Sequence, residues 1–194
     1  MYSPEIYEEE AKEQLSYHEK QDYSLHAPRF DMLLKWTGNV EHFHSLDVGC
    51  GWGYFMELVQ FQYPGMWVEG VDISPTKVNY GRLKGLHITL GDVREWEPES
   101  RWPFDLVYCS EFLEHFDYPV EMAKRVAVWG KHIIFTTPIY SKDEERVSGL
   151  HLSYVPMETH QEIALLVGKM LKSEIVQSPT SGISWACSLV KVGS

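Results

Sequence analysis

Hydrophobic and polar residues follow two different periods along the chain. Short apolar runs predict buried strands, and apolar residues three or four positions apart predict amphipathic helices. From residue 43 onward these segments alternate, with strands at Phe43–Val48, Met66–Val71, Leu86–Leu90, Phe104–Ser110 and His132–Thr136 and helices at Tyr54–Phe61, Pro75–Leu83 and Pro119–Val128. Such alternation predicts parallel strands joined by helical crossovers, in a doubly wound sheet with helices on both faces.

The N-terminal region is predicted to be helical. Two segments, Pro4–Tyr17 and Ala27–Trp36, have helical spacing of apolar residues. They predict a helical appendage over residues 1–40, ahead of a main domain over residues 41–194. At 194 residues the chain has room for a sizeable core but not for two domains of ordinary size.

The C-terminal region departs from the alternation. A helix is predicted over Met157–Leu171, with an apolar face formed by Ile163, Leu166, Val167 and Met170. Two strands, Ser173–Gln177 and Ser184–Val192, follow with no helix between them. They can pair antiparallel through a turn at Pro179–Gly182. The predicted fold is therefore α/β, with a seven-stranded sheet whose last strand is antiparallel.

An apolar run at Leu46–Val48 ends in three glycines at alternate positions: Gly49, Gly51 and Gly53. Glycine allows a positive φ and close approach to a ligand, and the helix beyond the turn offers unpaired N–H groups. A dinucleotide-binding fingerprint would need glycine at position 54, where Tyr54 stands, so a dehydrogenase is disfavoured. Asp47 would repel a pyrophosphate but can pair with an ammonium. The turn therefore favours a cationic amino-acid moiety over a phosphate.

Three aspartates follow the first three strands of the predicted sheet. Asp47, Asp72 and Asp92 each stand where a strand ends, and ligands of open α/β sheets bind at the carboxyl ends of the strands. The distance from the glycine turn to Asp72 is one βα unit, which places a carboxylate beside ribose hydroxyls. Asp92 comes one strand later, within reach of an adenine amino group. Each acid taken alone is also an ordinary helix cap or turn former.

Composition narrows the classes of partner. The formal net charge is −11, from 17 Lys and Arg against 28 Asp and Glu, and this disfavours a nucleic-acid footprint, which needs basic residues at each phosphate. Three widely spaced cysteines suggest neither a disulfide framework nor a cysteine zinc site. With no apolar run near 20 residues and an acidic N-terminus, we expect no membrane association and a cytoplasmic location.

Five motifs together resemble the class I S-adenosylmethionine-dependent methyltransferases: LDVGCGWG, GVDIS, LGDVREW, FDLVYCSEFLEHF and KHIIFTTP. The resemblance covers residues 43–192 and extends to the type 11 and type 12 methyltransferase groups. It implies a Rossmann-like seven-stranded sheet ending in a hairpin, which agrees with the pattern above. It also implies S-adenosylmethionine as cofactor.

The resemblance implies roles for individual residues. The three glycines pack under the cofactor, Asp47 serves its methionine end, and Asp72 serves its ribose. Asp92 and Val93 serve the adenine, while Ser110 and Glu111 lie beside the sulfonium. The predicted cofactor site also includes Cys50, within the turn, and Ile73, next to Asp72.

Acidic residues and a histidine follow the fourth strand. Glu111 and Glu114 are three positions apart, which places them on one side of a helical turn, and His115 adds an imidazole. Two carboxylates and one histidine suit magnesium or manganese. His151, after the fifth strand, is a candidate fourth ligand.

The Glu-x-x-Glu-His arrangement resembles two metal-assisted branches of the family: the O-methyltransferases of ubiquinone biosynthesis and the small-RNA 3′-terminal 2′-O-methyltransferases. In many other members Leu-Glu-His after the fourth strand caps the next helix without a metal. Both interpretations stay open at this stage. Without a metal, His151 is a candidate general base, because imidazole titrates near neutrality. The predicted catalytic residues are His151, His115 and Glu111.

The sequence thus predicts O-methylation of a small hydroxylated acceptor, with N-terminal aromatic residues such as Tyr17 and Tyr23 forming a lid. One alternative is 2′-O-methylation of RNA ends, which would require a basic groove. Another is a cofactor-binding partner protein without activity. The identity of the acceptor and the oligomeric state are left open.

Overall fold

The computed structural model describes residues 4–15, 26–38, 44–99, 103–139, 155–179 and 182–193. Its helices are α1 Pro4–Leu15, α2 Ala27–Thr37, α3 Tyr54–Gln62, α4 Pro75–Leu83, α5 Pro119–Ala127 and α6 Met157–Val167, with a 3-10 turn at Leu113–His115. Its strands are β1 His44–Val48, β2 Trp67–Asp72, β3 His87–Leu90, β4 Phe104–Ser110, β5 Gly130–Ile139, β6 Gly168–Gln177 and β7 Ser184–Val192.

The strands form one sheet in the order β3-β2-β1-β4-β5-β7-β6. Strands β1 to β5 pair in parallel, and β7 lies between β5 and β6, antiparallel to both. The predicted fold is confirmed. Because the strand order reverses between β1 and β4, a crevice opens there at the carboxyl ends of the strands.

The core fills both faces of the sheet. On β4, Leu106 and Tyr108 belong to one buried cluster, whereas Val107 and Cys109 belong to the other. This follows from the period of two along a strand, since successive side chains point to opposite faces. All four are fully buried, so the sheet is covered on both sides.

Helix α2 is part of this core. Its Leu33 and Trp36 are buried in the same cluster as Tyr108, and the Thr37 hydroxyl lies 2.8 Å from the Tyr108 hydroxyl. The division at residue 40 stays a prediction, but the packing is continuous across it. No helix in the described residues is both long and apolar enough to cross a bilayer.

The C-terminal helix is shorter than predicted. The pattern placed helix over Met157–Leu171, but α6 ends at Val167 and β6 begins at Gly168. Of the predicted apolar face, Ile163 is buried while Leu166 is 58% exposed. The cause is the neighbouring strand: a Cβ on Gly168 would lie only 2.2 Å from the Lys191 carbonyl oxygen of β7. This close approach fixes the start of β6.

Strand β5 is longer than the predicted His132–Thr136, because its pairing with β7 runs from His132 to Ile139. The predicted hairpin between β6 and β7 is present, and the Ser178 N–H donates to the Ile183 carbonyl at 2.8 Å. Phe43, the predicted first residue of β1, lies outside the described residues.

We predict that Gly168→Ala destabilises the protein by roughly 1–3 kcal/mol, because the added methyl overlaps backbone that cannot move without breaking the β6–β7 pairing. Gly65→Ala is the matched control. A Cβ at Gly65 meets nothing within 4 Å, and we expect a change within about 0.5 kcal/mol. Urea unfolding of both variants measures the difference, and equal midpoints would contradict the packing explanation.

Candidate functional site

The turn between β1 and α3 is fastened to the end of β2. The Gly49 and Cys50 N–H groups donate to the Val71 carbonyl at 2.8 and 3.2 Å, and the Gly51 N–H donates to Asp72 Oδ2 at 2.8 Å. These bonds hold the glycine turn over the crevice where the strand order reverses. The backbone of the turn is therefore fixed without any ligand.

Two glycines of the turn, Gly51 and Gly53, have different structural roles. Gly51 has a φ of 55° and Gly53 a φ of 82°, a region that side chains rarely adopt. A Cβ on Gly51 would meet nothing within 4 Å, whereas one on Gly53 would lie 2.3 Å from Leu86 Cδ1. Gly51 therefore keeps space open above the turn. Gly53 allows the turn to pack against the segment leading into β3.

Two cavities adjoin this turn. The smaller has a volume of about 160 Å³ and the larger about 340 Å³. Residues that line both are Tyr7, Gly49, Gly51, Lys77, Glu111 and His115. The cavities are thus neighbouring parts of one crevice, separated along the glycine turn.

The smaller cavity lies beyond the ends of β2 and β3. Asp72, Ile73 and Val93 line it, as do the aromatic rings of Phe112 and Phe116. Asp72 also accepts a hydrogen bond from the Ser74 N–H at 2.9 Å. This cavity therefore combines one oriented carboxylate with apolar walls.

Asp92, predicted to serve the adenine, pairs with a neighbouring arginine. Its side chain is engaged by Arg94, whose backbone N–H donates to Oδ1 at 3.0 Å and whose guanidinium forms an ion pair with Oδ2. Partial burial acts against ionisation, but the Arg94 bonds outweigh it and lower the pKa of Asp92. Asp92 and Gly53 are not among the residues that line the two cavities.

Asp47, Cys50 and Ser110 line the larger cavity. Burial of the Asp47 carboxyl raises its pKa from 3.8 to about 7, although the nearby Arg29 guanidinium opposes the rise. Burial also raises the pKa of the Cys50 thiol. The site thus holds a desolvated carboxyl that gains from a cationic partner.

Arg29, from α2, is the main cation beside Asp47. It is 5% exposed, and its Nη1 donates to Ser110 Oγ at 2.7 Å and lies 2.7 Å from Glu111 Oε2. Glu111 Oε1 accepts from Trp185 Nε1 of β7 at 2.8 Å. Burial works against the Glu111 charge, but Arg29 holds the pKa of Glu111 below its ordinary value.

Among the described residues, the predicted ligands Glu111, Glu114 and His115 do not form a metal site. Glu111 has a φ of 51° and precedes the 3-10 turn, so it does not share a helical face with Glu114. Glu111 is directed to Arg29 and Trp185, while Glu114 is buried at 2% exposure. In the described part of the chain no group of three His, Cys, Asp or Glu side chains could hold a metal ion. His151 lies outside the described residues.

Helix α1 covers the crevice. Glu8 accepts hydrogen bonds from the hydroxyls of Ser74 and Thr76 at 2.6 Å each, which ties α1 to the start of α4. The neighbouring Tyr7 reaches the cavities, and its ring contacts His115 edge-on at 5.4 Å. Tyr17 and Tyr23, the predicted lid residues, lie outside the described residues.

Sequence analysis missed several residues of the crevice. Arg29 comes from α2, and Phe112 and Phe116 follow β4. Tyr7 was not missed, because it is one of the N-terminal aromatic residues expected to cover the acceptor. The local sequence does not distinguish Arg29, because α2 also carries Asp31 and Lys35. The pairing of Arg29 with Glu111 could not be predicted from the sequence, because the two residues are far apart along the chain.

Residues 18–172 match a family described as the methyltransferase domain. This match covers most of the chain, including α2, the glycine turn and α6. The chain belongs to this family, within the class I S-adenosylmethionine-dependent methyltransferases.

Curated relatives are similar over part of their length. A trans-aconitate 2-methyltransferase of Mycobacterium tuberculosis is 35% identical over 110 residues, which are 54% of this chain and 41% of that protein. A ubiquinone biosynthesis O-methyltransferase of Bordetella parapertussis is 27% identical over 124 residues, 59% of this chain and 51% of that protein. The chain thus spans about half the length, or less, of these relatives.

Solved structures share the fold. The N-methyltransferase NodS from Bradyrhizobium japonicum has a TM-score of 0.70 at 16% identity, covering 89% of this chain and 99% of that one. The plantazolicin methyltransferase BpumL in complex with SAH has a TM-score of 0.67 at 14% identity, covering 94% of this chain and 90% of that one. At these identities the similarity shows the architecture alone.

The variants Gly51→Ala and Gly53→Ala test whether Gly51 keeps space for a ligand and Gly53 allows close packing. Both variants place a side chain at positive φ, which costs roughly 1–2 kcal/mol. We expect Gly53→Ala to be the less stable by a further 1–2 kcal/mol or so, because its methyl overlaps Leu86. We expect Gly51→Ala to lose more affinity for S-adenosylhomocysteine, measured by calorimetry. Equal effects on stability and affinity would contradict this division of roles.

The raised pKa of Asp47 predicts a pH-dependent effect of Asp47→Asn. The wild-type carboxyl favours folding fully below pH 3.8, and this contribution is lost as pH rises to about 7. Asp47→Asn should therefore stabilise the ligand-free protein more at pH 8 than at pH 5, by on the order of 2 kcal/mol. Urea unfolding at the two pH values tests this, and a constant difference between wild type and variant would contradict it.

Proposed function

We propose that this chain binds S-adenosylmethionine in the two adjoining cavities and transfers its methyl group to an oxygen of a small hydroxylated compound. The observation that carries the proposal is the Gly51–Asp72 hydrogen bond, which orients the turn and the carboxylate together. Because the chain spans only part of the length of its curated relatives, the proposed activity is argued from the geometry of the site and not from the names of those relatives.

The donors and acceptors of the site suit the groups of this cofactor. In the smaller cavity, the Asp72 carboxylate has lone pairs left for two ribose hydroxyls. Ile73 and Val93, with Phe112 and Phe116, would hold the flat adenine. Asp92 would take the adenine amino group at the rim, with Arg94 orienting its carboxylate.

The larger cavity suits the amino-acid end. The Asp47 carboxyl, desolvated and near neutrality in its pKa, would gain a cationic partner in the ammonium. Arg29 Nε is buried and has no hydrogen-bond partner among the described residues. A carboxylate beside the guanidinium would satisfy it, so Arg29 joins the proposed cofactor-binding residues.

The bound cofactor supplies an activated methyl group on a sulfonium, and transfer is an in-line displacement. The chain's own contribution is alignment of the acceptor and exclusion of water. The Gly49–Gly53 turn and Ser110 form the floor of the crevice, and α1 with Tyr7 covers it. An acceptor hydroxyl must also lose a proton, for which His115 and His151 are the proposed groups.

Glu111 is a poor general base in this arrangement. Its carboxylate pairs with Arg29 and accepts from Trp185, and its pKa is held low. The Arg29 guanidinium also neutralises this carboxylate and would repel a magnesium or manganese ion bound to it. We therefore expect transfer without a divalent metal bound through Glu111.

An oxygen acceptor is supported by the similarity to a ubiquinone biosynthesis O-methyltransferase. A small acceptor is supported by the similarity to a trans-aconitate 2-methyltransferase. The net charge of −11 disfavours RNA ends, which need a basic groove. Location in the cytoplasm stays a prediction.

Calorimetry with S-adenosylhomocysteine tests the cofactor site. We expect wild type to bind and Asp72→Asn to bind at least about tenfold more weakly, because hydrogen bonds to a charged acceptor are lost. Asp31→Asn, on the exposed side of α2, is the matched control and should bind like wild type. Failure of wild type to bind would refute the proposal.

A screen for transfer of labelled methyl to a panel of phenols, alcohols, carboxylic acids, amines and a short RNA tests the acceptor class. We expect products from small hydroxylated compounds, equally with and without a chelator. Binding of the nucleoside without any transfer would instead indicate a partner protein without activity. A gel shift with the RNA would favour the alternative acceptor.

A further inference from the structure

We propose that Glu111 is a positioning residue whose carboxylate locks the Arg29 guanidinium so that one edge of it receives the carboxylate end of the cofactor. This inference rests on the proposed function. It replaces the roles of metal ligand and catalytic residue that the sequence predicts for Glu111, and it makes the residue act through another side chain.

The backbone at Glu111 is strained to serve this contact. Glu111, at φ 51°, is the one residue other than glycine with a positive φ in the described ranges. Such a conformation costs on the order of 1 kcal/mol for a side chain with a Cβ. It directs the carboxylate back across β4 and β5 toward β7 and α2, where Trp185 and Arg29 hold one oxygen each.

The guanidinium is held at one end, and along one side its hydrogen-bonding capacity is largely unused by the described residues. Nη1 is used twice, by Ser110 Oγ and by Glu111 Oε2. Nη2 has only a long contact of 3.4 Å with His26 Nδ1, and Nε has no hydrogen-bond partner among the described residues. Nε and Nη2 form the side edge of a guanidinium, which binds a carboxylate with two parallel hydrogen bonds.

Aromatic rings complete the support. The Arg29 guanidinium carbon lies 4.8 Å from the centre of the Phe30 ring and 5.5 Å from that of Trp185. Trp185 therefore contacts Arg29 by its ring and Glu111 by its indole N–H. The rings flank the guanidinium, and the Glu111 carboxylate fixes its orientation between them, so removal of the Glu111 charge frees the guanidinium to rotate.

A double-mutant cycle distinguishes this role from direct chemistry. If Glu111 acts only through Arg29, removal of the Glu111 charge should weaken cofactor binding only when Arg29 is present. Glu111→Gln is the sharpest variant, because the amide oxygen still accepts from Trp185 while the charge is removed. Arg29→Met removes the guanidinium at similar length, and Arg29→Lys keeps the charge without the side edge.

The measurement is the Kd of S-adenosylhomocysteine by calorimetry for wild type, each single variant and the doubles. We expect Glu111→Gln to weaken binding of the nucleoside about tenfold when Arg29 is present. In a chain that already carries Arg29→Met, we expect the same change to weaken binding less than about threefold. We expect the turnover number at saturating cofactor to stay within about threefold for Glu111→Gln, so that the effect falls on KM. Thermal unfolding shows which variants fold, and Arg29→Lys replaces Arg29→Met if the latter does not.

Glu121→Gln, an exposed glutamate on α5, is the control and should leave both Kd and turnover unchanged. Equal losses from Glu111→Gln in both backgrounds would overturn the inference, as would unchanged affinity with loss of turnover, which indicates a catalytic role. If wild type does not bind the nucleoside, the proposed function itself fails. The inference alone fails when wild type binds and the cycle is additive.

Discussion

The structure depends on one constraint: a parallel sheet buried on both faces has room for polar chemistry only where its strands end. Side chains along β4 alternate between two apolar clusters, and a charge placed among them would lack a partner. The acids therefore come at the carboxyl ends of β1 and β2. The Gly51–Asp72 hydrogen bond joins these two strand ends and sets the position of the turn.

This arrangement buries ionisable groups, and burial disfavours their charged forms. The Asp47 carboxyl favours folding less as pH rises from 3.8 to about 7. His160 is fully buried between the hydroxyls of Thr137 and Ser188, and burial lowers its pKa from 6.5 to about 4. Its contribution to stability is complete above pH 6.5 and is lost as pH falls toward 4. The two groups therefore act in opposite directions between about pH 4 and 6.5.

The two N-terminal helices both contribute to the site, but they are held to the rest of the protein by different contacts. Helix α2 belongs to the core through Leu33 and Trp36, and the same helix carries Arg29 into the crevice. Helix α1 contributes little to the core, with Ala11 as its buried residue, and is held at its edge by Glu8. An element with few buried contacts opens more easily than the core. Helix α1 is thus held over the crevice mainly by polar contacts, whereas α2 positions Arg29 through the core.

Spacing along the chain was enough to predict the features that depend on neighbouring residues. The glycine turn, the acids at the strand ends and the alternation of elements follow from local spacing, and the family motifs add the cofactor class. Tertiary structure decided which distant side chains meet. Arg29 is on α2, Glu111 follows the end of β4 and Trp185 is on β7, and only the packing of α2 on the sheet brings them together. It also decided where α6 ends, because the carbonyl of Lys191 on β7 leaves room for glycine alone at position 168.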